Sequence, residues 1–155
     1  MRFYGSNLLD AISVCKHIKK VYDNATDVYG YCEIKPGKKA FEQLLADVTY
    51  GETVIIKSLA ALGDDNSTVD GIAEKVRTLC SKGIFLKVIM DEDFSYESFE
   101  VWYNFNKKHA FLNGVWYKNY YVPEGLLFEL DPDENIPYYD RDKWVFEENC
   151  AIWHR

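Results

Sequence analysis

The sequence predicts an α/β protein: a mostly parallel sheet of four to five strands flanked by helices, with an aromatic-rich α+β extension at its C-terminal end. Three observations carry this reading. Short apolar runs alternate with segments of helical period through residues 1–90, joined by short loops. The run "ETVIIKSL" is almost continuously apolar, as in strands covered on both faces. After Met90 the character changes. Residues 1–90 hold 12 Lys/Arg against 11 Asp/Glu, whereas residues 91–155 hold 6 against 14 and carry 17 of the 25 aromatics, including all four Trp.

The elements follow in order. Arg2–Ser6 reads as a strand. Leu8, Ile12, Cys15 and Ile18 then recur every three or four residues, which predicts a helix. Asp27–Ile34 is a second strand, and Lys35–Lys39 is a loop punctuated by Pro36 and Gly37. "AFEQLLADV" puts Phe41, Leu44, Leu45 and Val48 on one helical face. "ETVIIKSL" is the third strand and "AALGDDN" a loop. Ser67 with Asp70 resembles a capping box, opening a helix with Val69, Ile72, Ala73, Val76, Leu79 and Cys80 inward. Gly83 ends it, and Ile84–Met90 is the fourth strand. "SYESFEVWYNFNKKH" predicts a further helix, Asn113-Gly114 between aromatic runs a hairpin, and "LLFEL" and "CAIWHR" strands, with "DPDENIP" a polar loop. The change of character divides the chain into an α/β domain, residues 1–93, and an acidic aromatic subdomain packed on it, residues 94–155.

Composition excludes several classes. With 155 residues, 48% hydrophobic and 28% charged, the chain can bury a core and does not read as disordered. No apolar run approaches the roughly 18 residues of a membrane span. Asp10, Lys16, Lys19 and Lys20 interrupt any secretory apolar segment, so the expected compartment is the cytoplasm. Cys15, Cys32, Cys80 and Cys150 form no CxxC pair; the first three sit on apolar faces and read as reduced core cysteines. His17, His109 and His154 are scattered, and the CxxxH spacing of Cys150 and His154 supplies only two ligands.

Residues 1–90 resemble the catalytic domain of the serine recombinases, the resolvase/invertase family. "MRFYG" matches that family's first strand, "KKAFEQLL" its second helix, "GETVIIKSLAALG" its third strand and loop, and "SKGIFLKVI" its fourth strand. The resemblance implies a resolvase-like sheet and an origin in a phage or mobile element. It also implies that the chemistry is lost. The family's nucleophilic serine falls on Asp10 and the arginine two residues earlier on Leu8. The Asp-Arg pair of the third loop falls on Ala60 and Ala61, the arginine after the glycine on Asp64, and the arginine before the second helix on Lys38. Strand transfer needs an attacking hydroxyl held among cations that stabilise the pentavalent charge. Ser6 is a nearby hydroxyl, but it ends its strand with no base beside it. No basic helix-turn-helix segment follows, so sequence-specific DNA reading is not expected.

Three other constellations compete. Asp10, Asp64, Asp65, Asp91 and Asp93 fall at expected strand ends and are candidate Mg2+ ligands for phosphate or nucleotide chemistry, against the ordinary reading of caps, turns and a solvated rim. Lys35, Lys38 and Lys39 are candidate phosphate contacts, opposed by a net charge of −7. Trp102, Tyr103, Trp116, Tyr117, Tyr120 and Tyr121 are candidate partner-binding residues, with a subdomain core as the simpler role. The 14 carboxylates after residue 90 also suit an imitation of nucleic acid. The expectation is a non-catalytic, cofactor-free pseudoenzyme that binds protein, forms a homodimer and does not meet membranes.

Overall fold

The computed structural model describes residues 1–35, 37–63, 69–110, 143–147 and 149–155. In chain order these form β1 (Arg2–Gly5), α1 (Leu8–Val21), β2 (Tyr29–Glu33), α2 (Lys39–Asp47), β3 (Thr53–Ile56), a 3-10 turn (Leu59–Leu62), α3 (Val69–Ser81), β4 (Phe85–Val88), α4 (Tyr96–Ala110), β5 (Trp144–Phe146) and β6 (Cys150–His154). The strands make one six-stranded mixed sheet in the order β4-β3-β1-β2-β6-β5. β1 to β4 are parallel, whereas β6 runs antiparallel to β2 and β5 antiparallel to β6. The four helices and the parallel strands are those the periodicity predicts. Among the described residues the sheet has six strands instead of four or five, because "CAIWHR" returns to pair along the whole of β2, from Glu33 opposite Cys150 to Tyr29 opposite His154.

Two layers of side chains hold the sheet. On one face α1 lays Ala11, Val14, Cys15 and Ile18 over Phe3, Cys32 and Ile55, beside Trp144 and Trp153. On the other, α2, α3 and α4 cover Tyr4, Tyr31, Val54, Ile56, Leu86 and Val88. Two glycines set the close approaches. A Cβ on Gly30 would lie 2.1 Å from the Phe3 ring, so only glycine lets that ring cross β2 toward Trp153, 5.4 Å away centre to centre. A Cβ on Gly5 would lie 2.4 Å from the Ala11 backbone nitrogen, so only glycine lets β1 feed α1 at this distance.

Edge strand β4 is blunted by a side chain. The Tyr96 hydroxyl donates to the Ile84 carbonyl at 2.5 Å and is also hydrogen-bonded by the Leu86 backbone. A turn adds to this, the Asp91 N–H donating to the Val88 carbonyl at 3.1 Å. Polar groups along that edge are thereby engaged, which discourages the addition of a foreign strand.

Several expectations are corrected. Cys80 is exposed, not inward; it falls in the final turn of α3, where a periodic face no longer guarantees cover. The fourth strand stops at Val88, and Ile89–Met90 turn away. Leu59–Leu62 is a 3-10 turn where "AALGDDN" read as loop, because Leu59, Ala61 and Leu62 find a place in the core. Ser67 of the expected capping box, the Asn113-Gly114 hairpin, "LLFEL" and "DPDENIP" lie outside the described residues.

Candidate functional site

β1 has β2 on one side and β3 on the other, and the helices following β1 and β2 lie on opposite faces of the sheet. Open α/β sheets form their crevice at such a switch point, outside the carboxyl ends of the strands. Here that edge gathers Tyr4, Ser6, Asp10, Glu33, Lys38 and Lys57.

Glu33, the last residue of β2, is only 6% exposed. Its Oε1 accepts the Ala40 N–H at 2.9 Å, and its Oε2 accepts the Phe41 N–H at 3.0 Å and the Tyr4 hydroxyl at 2.7 Å. The carboxylate thus satisfies the first turn of α2, whose own N-cap position, Lys38, sits at φ 56° and offers no side-chain cap. Lys38 Nζ in turn donates to the Tyr4 oxygen at 3.4 Å. Burial, followed by the charge of Glu33, drives the Tyr4 phenol far above its ordinary range, so it remains a donor at every physiological pH. Burial and then Glu33 push the Cys32 thiol up to about 12, which keeps it an unreactive thiol.

Asp10 lies in the first turn of α1. Asn7 caps that helix through the Asp10 N–H at 2.8 Å, and the Asp10 carboxylate reaches back to accept the Ser6 N–H and the Ser6 hydroxyl, both at 3.2 Å. This is a capping-box geometry displaced by one residue. Burial raises the Asp10 pKa; the Ser6 backbone contact, Lys57, the Ser6 hydroxyl and Lys38 each pull it back without cancelling the rise. Lys57, just past β3, is 7% exposed. The expectation that Ser6 has no base beside it is therefore corrected: the chain turns through Asn7 and brings Asp10 to its hydroxyl.

The other sequence candidates scatter. Leu8 is half-buried against the α1 layer. Ala61 is buried and Ala60 packs on the same core, so neither opens a polar pocket. Lys39 pairs with Glu42 at 3.2 Å on the surface, and Lys35 is exposed in the loop. Asp91 and Asp93 are exposed beyond β4, two strands away from Asp10, and line a small cavity of about 190 Å3 with Phe94, Phe99 and Trp102. Among the described residues, no three His, Cys, Asp or Glu side chains gather as a metal-holding group. Tyr103 is 5% exposed and stacks on Phe99 in the core, with the Arg77 guanidinium 4.7 Å over its ring. Trp102 is half-buried beside Phe99. Asp64, Asp65, Trp116, Tyr117, Tyr120 and Tyr121 lie outside the described residues. Among those residues no helix is long and apolar enough to cross a membrane.

Sequence reasoning missed Glu33 and Lys57. A carboxylate ending a strand and an ammonium ending "TVIIK" look like ordinary exits to solvent; only the return of α2 and of β6 buries Glu33. The available signal was the missing N-cap: Lys38 before "KAFEQLL" leaves α2 without a local acceptor.

Fold and site together define a class: an open α/β sheet whose carboxyl-edge polar groups are paired chiefly with one another. No protein-family model matches the sequence, and no curated protein matches it.

Proposed function

We propose that this chain is a non-catalytic, resolvase-like protein that acts through protein contacts, in the cytoplasm and in the DNA transactions of a phage or mobile element. The supporting observation is the internal pairing at the carboxyl edge. Asp10 spends one oxygen on both donors of Ser6, and Glu33 spends its oxygens on α2 and Tyr4. A nucleophilic site needs its hydroxyl aimed at substrate and cations where charge develops. Leu8, Ala60 and Ala61 provide no cation, and Lys38 is drawn to Tyr4. The parallel order of β1 to β4 is compatible with the resemblance of residues 1–90.

The test has two arms. The full chain is incubated with supercoiled plasmid DNA and run on a denaturing gel; no covalent adduct is expected. Capture from the native host, followed by mass spectrometry, is expected to return a protein partner equally well with the wild type and with Ser6→Ala. A DNA adduct on any residue, above all on Ser6, overturns the reading.

A further inference from the structure

We infer that the groove between α1 and β4 is a binding site for a small organic cation, a protonated amine carried on an apolar body. Sheets of this kind bury both faces under helices. On this face α1 packs over residues of β1, β2 and β3, namely Phe3, Cys32 and Ile55, and β4 lies beyond that cover. The gap is a groove of about 530 Å3. Sites for small molecules commonly enclose about 300–1,000 Å3 and pair apolar walls with a few polar groups. Here Val21 supplies an apolar wall from α1, and Ile89 and Phe94 supply one from the segment after β4.

The polar groups identify the occupant. His17 lines the groove from α1, and its Nε2 is buried without a hydrogen-bond partner. Buried polar atoms in folded proteins are nearly always satisfied, so an orphan beside a cavity points to a ligand. Burial, then Lys87 and Lys20, lower the His17 pKa, so the ring is neutral at pH 7 and does not repel a cation. A neutral imidazole has one accepting nitrogen, and Nε2 in that role takes an N–H from the amine. Lys87, the cation of the groove, is already engaged: its Nζ donates to the Tyr22 hydroxyl and lies 4.9 Å from the centre of that ring. Asp91 and Glu92 are exposed, and no hydrogen bond or ion pair among the described residues engages either side chain. Two free carboxylates against one committed ammonium leave the groove with a negative excess, which repels anions and draws a cation. The Phe94 ring offers the same cation a π face. His17, Asp91 and Glu92 do not gather as a metal-holding group, so the cation is one long enough to span the groove.

The groove is separate from the carboxyl-edge network of Tyr4, Asp10 and Glu33, so its failure leaves the proposed function standing. The test titrates the full chain with phenethylamine, phenethyl alcohol and phenylacetate, which share a body and differ in charge, followed by proton–carbon NMR. Of the three histidine ring signals, that of His17 is expected to move with phenethylamine, with a Kd of about 1 mM for so small a ligand. The alcohol is expected to bind about fivefold more weakly and phenylacetate more weakly still. The double variant Asp91→Asn, Glu92→Gln should lower the amine to the level of the alcohol. Val21→Trp, at the half-exposed end of α1, fills the groove and should weaken both. Far-UV circular dichroism confirms that each variant remains folded. An unmoved His17 signal at about 10 mM phenethylamine overturns the inference. So does phenylacetate bound as tightly as the amine, a double variant that keeps the preference, or a folded Val21→Trp protein of unchanged affinity.

Discussion

Replacing Glu33 with alanine removes three acceptor contacts at once: the Ala40 and Phe41 N–H groups and the Tyr4 hydroxyl. Hydrogen bonds to a charged group contribute about 1.5–3 kcal/mol each when isolated. These three share one carboxylate and do not add, and the desolvation of a buried carboxylate already offsets part of the gain. The loss also leaves the first turn of α2 without an acceptor inside a buried region. The expected cost is about 3–4 kcal/mol, a large share of a typical stability of about 5–15 kcal/mol. For a chain of this size it lowers Tm by about 10 °C. Urea unfolding followed by far-UV circular dichroism measures it, with Tyr4→Phe as the partial control, expected to cost about 1 kcal/mol. A Glu33→Ala protein within about 1 kcal/mol of wild type would refute the assignment of Glu33 as the cap of α2.

Three further outcomes follow from the same structure. Asp10 is protonated more easily folded than unfolded, so its ionisation opposes folding. That opposition is absent below the ordinary value of 3.8 and complete above the raised folded value; unfolding at stepped pH should show wild type losing stability relative to Asp10→Asn as pH rises through that interval, and parallel curves would contradict it. Gly30→Ala forces its methyl into the Phe3 ring and should cost about 2–3 kcal/mol by urea titration, with a Gly30→Ala protein of wild-type midpoint as the contrary result. Tyr96→Phe unmasks the β4 edge, and light scattering should find it more prone to aggregate than wild type on warming, equal aggregation counting against the edge lock.

Local pattern carried most of the secondary structure. Leu8, Ile12, Cys15 and Ile18 announce α1 because a helix buries one face, and "TVII" announces β3 because a central strand buries two. Pairing across the sheet was not legible. Nothing in "CAIWHR" says that it runs antiparallel to β2, since the partner is chosen by the fold over more than a hundred residues of separation. The candidate site shows the same division. Asn7 and Asp10 are readable as the start of α1. The approach of Ser6 to Asp10 is a three-dimensional turn, and Glu33 belongs to α2 only because the loop through Gly37, at φ 120°, folds the helix back over the strand end. Charge misled in one place: Asp10, Asp91 and Asp93 all follow strands, but β3 stands between β1 and β4 and keeps them from converging.

The central claim is that the hydroxyl and carboxylate at the end of β1 are a helix cap and not a reacting pair. The unfolding free energy of Ser6→Ala tests it most directly, because reactive groups tend to cost stability whereas caps supply it. The account predicts a loss of about 1–2 kcal/mol, the value of a hydrogen bond to a partly buried carboxylate. A Ser6→Ala protein as stable as wild type, or more stable, would contradict it.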